Sequence, residues 1–178
     1  MRILVVSASL NPGSKSRVLG FEAVEALKAL GTDVDFIDLQ EFPVPLAGSD
    51  RSWEDANVKA LTERLHKAGG ILLSAPIYTY DLSAAAKNLV ELTGEAWEGK
   101  VVGFLCAAGG MGSYMSVMSF ANSLMLDFRC IILPRFVYAV SESWDGVAIK
   151  DEKIKARISE LAKEVTRVTA ALSKSVSK

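Results

Sequence analysis

The sequence is poor in the side chains that most often carry chemistry by themselves. It holds one histidine, His66, and two cysteines, Cys106 and Cys130, in 178 residues. A serine–histidine–acid triad would have to use His66, which falls near a helix end, where a surface position or a contact to the helix dipole is the plainer reading. The two cysteines lie inside separate apolar stretches. They make neither a zinc ligand set nor a disulfide framework, and read as small core residues in a reducing compartment. An excess of one charge is also lacking: 20 basic against 21 acidic residues give a net charge of −1, too little to hold a nucleic-acid backbone. Aromatics are 8% of the chain and do not interleave with a basic stripe, so base stacking is unsupported. The apolar runs Ile3–Val6, Ile71–Leu73 and Val101–Ala108 fall far short of the roughly 20 residues that cross a bilayer. No small-residue cleavage site follows the first of them, which reads as a strand and not as a leader. The expectation is one soluble, cytoplasmic domain with no membrane and no nucleic-acid partner.

What the chain does have is apolar residue in quantity: half of it is hydrophobic, with a mean hydropathy of +0.25. That supports one sizeable core and excludes global disorder. Strand, loop and helix alternate five times. Strands are expected at Arg2–Ser7, Val34–Leu39, Ile71–Ala75, Lys100–Ala107 and Cys130–Ala139. Helices are expected at Ser16–Leu30, Trp53–Lys67, Ser83–Gly94, Ser113–Phe128 and Asp151–Leu172. Strands this continuously apolar belong to a parallel sheet covered on both faces. Right-handed crossovers then give an α/β, flavodoxin-like three-layer sandwich with a five-stranded parallel sheet in the order 2-1-3-4-5. The chain shows no repeat and no linker, so 1–178 reads as a single domain.

Ser113–Phe128 is apolar nearly all round, with Met115, Val117, Met118, Phe120, Ala121, Leu124, Met125, Leu126 and Phe128 pointing in nearly every direction. The sheet can cover one side of such a helix, and a second subunit is expected to cover the other. The last helix carries Ile154, Ile158, Leu161, Val165, Val168 and Leu172 at spacings of four and three. That pattern fits a coiled-coil seam or a helix lying on the sheet, and the sheet is favoured.

Three loops leave the carboxyl ends of strands, where open parallel sheets bind ligands. Ser7–Arg17 holds hydroxyls, an amide, a glycine and two cations, and leads into a helix N-terminus. Backbone N–H groups, hydroxyls and the positive dipole end then meet at one point, which suits a phosphate. The loop matches neither the P-loop nor the dinucleotide fingerprint. The plainer alternative is a serine-rich turn with Ser14 or Ser16 as the helix cap. Pro76–Ser83 carries two tyrosines, which fit the edge of a planar heterocycle or simply pack over the sheet edge. Ala107–Ser113 has three glycines in four residues, which admit a close approach to the backbone or make a flexible turn. A phosphate cradle beside a flat-ring pocket points to a mononucleotide, with flavin mononucleotide the natural fit. An acidic triplet of the phospho-receiver kind is missing.

The loops also match a family. S-x-S-L-x-x-x-S-x-S at Ser7–Ser16, P-x-Y followed by A-x-K-N within Pro76–Asn88, and A-x-G-G at Ala107–Gly110 resemble the NADPH-dependent FMN reductases, in order and with the family spacing from about Arg2 to Ala139. Ser74–Gly110 is especially similar to the flavin reductases that feed two-component monooxygenases. The resemblance implies FMN and NADPH (or NADH) as cofactors and hydride transfer by the flavin itself, with no catalytic side chain and no metal. It implies that Ser9, Asn11, Ser14, Ser16 and Arg17 hold the FMN phosphate. Pro76, Ile77, Tyr78 and Thr79 would line the isoalloxazine, with Gly109, Gly110 and Met111 at its pyrimidine edge. Lys87 and Glu91 fall where the family places an ion pair in its dimer helix, so a homodimer or homotetramer through Ser83–Gly94 and Ser113–Phe128 is expected. Three positions depart from the pattern: Asn11 stands where arginine is common, Thr79 where asparagine is frequent, and Ser83 where proline is. Lys15 and Arg17 are the cations left to the first loop. The function expected is NAD(P)H-dependent reduction of FMN, with a monooxygenase as a candidate recipient. A resident-flavin reductase of quinones, azo dyes or metal oxyanions, an electron carrier of the flavodoxin kind and a nucleotide-binding module without turnover are the alternatives.

Overall fold

The computed structural model describes residues 1–175. In chain order its elements are β1 (Arg2–Ser7), α1 (Lys15–Ala29), β2 (Asp33–Asp38), α2 (Ala56–Lys67), β3 (Gly70–Tyr78), β4 (Asp81–Leu82), α3 (Ala84–Thr93), β5 (Val101–Ala107), α4 (Val117–Phe128), β6 (Ile131–Ile132), β7 (Val137–Ala139), β8 (Trp144–Asp145), β9 (Ala148–Ile149) and α5 (Glu152–Ser175). The main sheet runs β2-β1-β3-β5-β6, with β7 also paired to β5 and β4 folded back on β3. Apart from β4, all of its pairings are parallel. The flavodoxin-like class and the 2-1-3-4-5 winding hold, but the strand count is seven and not five. The fifth strand is broken. Pro134 has no N–H to donate, and Arg135 sits at φ 61°, so only Ile131–Ile132 and Val137–Ala139 of the expected Cys130–Ala139 keep the ladder. β8 and β9 form a separate small hairpin.

Side chains alternate across β1. Ile3 and Val5 pack with α1 and α5 on one face, and Leu4 and Val6 pack with α2, α3 and α4 on the other. Gly70 and Gly103 let α5 lie close, since a Cβ on Gly103 would come within 2.9 Å of Leu72 and 3.0 Å of Leu161. Ile154, Ile158, Leu161 and Val165 are buried there and Val168 packs on the same cluster, which settles the last helix on the sheet; Leu172 at its end is 36% exposed. Among the described residues no helix is long and apolar enough to cross a membrane.

Local chemistry sets the helix ends. The Ser14 hydroxyl accepts the Arg17 N–H and caps α1. At its other end Gly31, at φ 70°, allows the Gly31 N–H to reach Lys28 O and the Thr32 N–H to reach Leu27 O, a Schellman closure. Two expected helices are shorter than the pattern implied. Trp53 lies in a single 3-10 turn, because Asp55 leaves the helical region to cap α2 with its carboxylate. Residues 111–116 form 3-10 turns with Ser113 off the helical geometry, so α4 starts only at Val117.

Candidate active site

The carboxyl ends of β1, β3 and β5 bring the three loops together around an open cavity of about 340 Å³. Ser9, Asn11, Ser14 and Ser16 line it from the first loop, Pro76, Ile77 and Tyr78 from the second, and Gly109 from the third. These are eight of the twelve positions expected. Gly13, Lys15, Ala107, Ala108 and Ser141 line it as well.

The first loop is organised by its own polar groups. Ser9 Oγ accepts the Asn11 N–H (3.3 Å), and Asn11 Oδ1 accepts the Gly13 N–H (2.9 Å). The hydroxyls of Ser14 and Ser16 are 2.9 Å apart, and both residues are buried. Because Ser14 satisfies only the Arg17 N–H, the N–H groups of Lys15 and Ser16 have no carbonyl one turn earlier to accept them. They start the helix at the cavity wall, so hydroxyls, N–H groups and the helix dipole converge as an anion requires. The loop is also clamped from below. Ser74 Oγ donates to Ser16 O, and the Gln40 amide donates to Ser9 O (3.3 Å) and Asn11 O (2.7 Å).

Arg17 does not line the cavity. Its Nε lies 2.7 Å from the buried carboxylate of Asp38, so its charge is spent holding the end of β2 against α1. Lys15 is then the one charged side chain on the wall among the described residues.

The second loop is a hairpin and not an irregular loop. β3 runs through Tyr78, and β4 returns through Tyr78↔Asp81 and Ile77↔Leu82. The two connecting residues, Thr79 and Tyr80, have φ of 50° and 60°. This is a two-residue turn of the type I′ kind, normally made by Asn-Gly, here made by a β-branched and an aromatic residue. Thr79 therefore sits at the turn tip and outside the cavity lining. Ser83 Oγ donates to Ala8 O (2.7 Å), which ties the hairpin to the first loop.

In the third loop, a Cβ on Gly109, Gly110 or Gly112 would meet nothing within 4 Å. The space beside the loop is open for a ligand edge. Gly110 and Met111 lie past the rim; Met111 is 58% exposed and joins Tyr114, Phe136 and Tyr138 around a neighbouring hollow. The loop is held from outside itself. Ser141 Oγ donates to Gly109 O (2.8 Å), and the Ser113 and Tyr138 hydroxyls are 2.6 Å apart.

The sequence motifs missed Ser141 and Gln40. Neither lies in a motif, and their roles come from strand ends that only the folded sheet brings to the loops. Lys15 lies inside the first motif, but the sequence alone does not decide the cap between Ser14 and Ser16 and begins the helix at Ser16; the Ser14 cap makes Lys15 the first helical residue. No thiol competes for the chemistry, because burial pushes Cys106 up to about 12 and Cys130 up to about 11.

The residues present suit a flavin phosphate and a flat ring: donors and one cation at one end, a proline, a tyrosine and unsubstituted backbone at the other. Comparison with known proteins agrees. The family model of NADPH-dependent FMN reductases matches residues 1–145. The chain is 32% identical over 129 residues to the FMN reductase (NADPH) of Escherichia coli K12, a match spanning 71% of this chain and 66% of the relative. Among solved structures, an NADH:FMN oxidoreductase superposes with a TM-score of 0.75 at 15% identity, over 92% of this chain and 87% of that one. The flavoenzyme NAD(P)H:(acceptor) oxidoreductase of Paracoccus denitrificans does so at 0.72 and 18% identity, over 96% and 97%. At such identities the structures speak for the fold, and the family model speaks for the chemistry: the chain belongs to the NADPH-dependent FMN reductase family and is an oxidoreductase of the flavin-dependent kind.

Proposed function

We propose that the three-loop cavity is where this chain binds FMN and reduces it with NAD(P)H, and that the flavin is exchanged as a substrate. The observation that carries this reading is the convergence of the three motif loops on one open cavity with a single charged wall residue. The redox chemistry is supplied by FMN when bound. The chain's own work is to bind and orient, which accounts for a site without an acid–base dyad. Ser9, Asn11, Ser14 and Ser16 hold the phosphate. Pro76, Ile77 and Tyr78 support the ring, and the backbone at Gly109 approaches its pyrimidine edge, where an N–H group would offset negative charge. Arg17 positions this loop through Asp38 and does not touch the phosphate. One cation and an open wall favour release of reduced flavin to a monooxygenase over retention for quinones or azo dyes.

The chain works as a homo-oligomer in the cytoplasm on the same reading. Met115, Met118, Met125 and Leu126 on the α4 side are exposed in the single chain, Leu126 to 75%. Beside them a groove of about 440 Å³ runs between Trp53, α3 and Phe128. Lys87 and Glu91, the pair expected at the subunit contact, are 3.1 Å apart along α3. Free, buried cysteines fit a reducing compartment. The Met118→Glu variant is expected to scatter light as a smaller species than the parent; an unchanged mass removes this interface.

The test of function is NADPH oxidation with free FMN varied, under air, against a protein-free control. Rates that rise and saturate with FMN support the exchanged-substrate reading. Rates independent of added FMN point to a resident flavin, and FMN binding without NADPH oxidation leaves a carrier.

A further inference from the structure

We propose that Trp144 is a positioning residue that holds the Lys15 ammonium at the phosphate end of the cavity, and that this pair gives the chain its preference for a phosphorylated flavin over riboflavin. The inference rests on the reading that the cavity takes FMN, and it adds a residue from outside all three motif loops.

Positive charge is scarce at this end of the cavity. A phosphate brings about two negative charges, and the cavity wall offers one cationic side chain among the described residues, Lys15. The other cation of the first loop, Arg17, lies 2.7 Å from Asp38 and is neutralised there. Asn11, where the family commonly has arginine, brings no charge, and its amide oxygen is taken by the Gly13 N–H. Selectivity for a phosphate over a hydroxyl must then come from the α1 N-terminus and from Lys15.

Lysine is a poor fixed charge when its stem is free, because ordering its rotatable bonds costs conformational entropy on binding. Here Lys15 is exposed, but its ammonium has one fixed neighbour. Lys15 Nζ lies 5.5 Å from the centroid of the Trp144 ring. Trp144 is itself 5% exposed, packs in the core beneath α1 and α5, and is paired with Ile149 across the β8–β9 hairpin. A buried ring does not swing, so it offers a stationary face, and indole is the strongest such face for a cation. The contact uses the ammonium's charge and leaves N–H donors for a ligand oxygen. The segment leading into the hairpin reaches the same cavity at Ser141, whose hydroxyl holds Gly109 O. Residues 141–149 thus fasten both ends of the site.

The test is a fluorescence titration of the parent chain and variants with FMN and, separately, with riboflavin. Lys15→Gln is expected to weaken FMN binding about tenfold, the loss of one charge-assisted hydrogen bond. Trp144→Leu is expected to weaken it about two- to fivefold, the range of an exposed cation–π contact, and Trp144→Phe to recover part of that. Riboflavin binding stays at the parent value in all three. In the Lys15→Gln background, Trp144→Leu adds nothing further. The proposal is overturned if Trp144→Leu weakens FMN and riboflavin alike, if it still weakens FMN when Lys15 is gone, or if Lys15→Gln leaves FMN affinity unchanged. A parent chain that binds both flavins equally well overturns the inference and leaves the FMN site standing. A parent that binds neither overturns both.

Discussion

The two ends of the cavity differ in how much of their order is local. At the phosphate end, Ser9, Asn11 and Ser14 satisfy backbone groups two or three residues away and the helix cap follows at once, with Gln40, just past β2, and Ser74 in β3 adding clamps. At the ring end, the hairpin has its own short ladder, but among the described residues no side-chain cap within it or the glycine loop shapes the cavity wall. Both are held by groups distant in sequence: Ser141 on Gly109, Tyr138 at Ser113, Ser119 on Asp81, Ser83 on Ala8. A cradle organised by its neighbours in sequence stays in place when the ligand leaves. A ring pocket organised by tertiary contacts can be tuned by changing residues that never touch the ligand.

Changes at the phosphate end give the largest effects if this contrast is right. Ser9→Ala with Ser16→Ala removes two hydroxyls expected to serve a charged ligand, and FMN affinity should fall by about 3 kcal/mol, on the order of a hundredfold. Circular dichroism and the thermal midpoint should show an intact fold, because α1 keeps its Ser14 cap. Unchanged affinity in a flavin titration would remove the phosphate assignment.

At the ring end the sharper probe is Gly109→Leu. Its φ is not in the left-handed region, and an added Cβ meets no protein atom within 4 Å, so nothing in the fold needs glycine there. Stability should stay within about 0.5 kcal/mol, as for a surface change. FMN and riboflavin binding should both fall about tenfold, through a side chain placed where the ring must lie. Equal loss of stability and binding would make the glycine structural.

Thr79→Asn separates turn from site. A β-branched residue at φ 50° carries strain of about 1–2 kcal/mol, which asparagine largely avoids. Chemical denaturation should show a gain of about 1 kcal/mol with little change in flavin affinity. A large loss of affinity would bring Thr79 back among the ligand contacts.

The smallest effect lies away from the site. Arg64 grips Asp35 with two hydrogen bonds, at 2.9 and 2.7 Å, and holds its carboxyl below the usual carboxylate range. A depressed folded value means that this stability is present above about pH 4 and is lost as the pH falls below it. Asp35→Asn should cost at most about 1 kcal/mol at neutral pH and flatten the acid side of the stability profile. Acid unfolding parallel to the parent would contradict this.

The same local-versus-tertiary contrast explains what the sequence made legible. A serine cap at Ser14 or Ser16 and the apolar runs of β1, β3 and β5 are short-range signals, and they place the layers and the first loop. The break at Leu133–Phe136 is half legible, since Pro134 marks it but an apolar strand pattern overrides it. The hairpin at Thr79–Tyr80 was not legible, because neither residue favours positive φ and tertiary ties impose it. Arg17 illustrates the limit at the site itself: it stands in the first loop, just after the motif, but Asp38, at the end of another strand, decides where its charge goes.

The central claim is that NADPH reduces FMN in the three-loop cavity, and anaerobic mixing of the chain with FMN and NADPH tests it most directly. The account predicts that the flavin bleaches faster than in a protein-free control, and that Ser9→Ala with Ser16→Ala slows bleaching at subsaturating FMN in proportion to its lost affinity. Bleaching at the parent rate in that variant, or no faster than without protein, would contradict it.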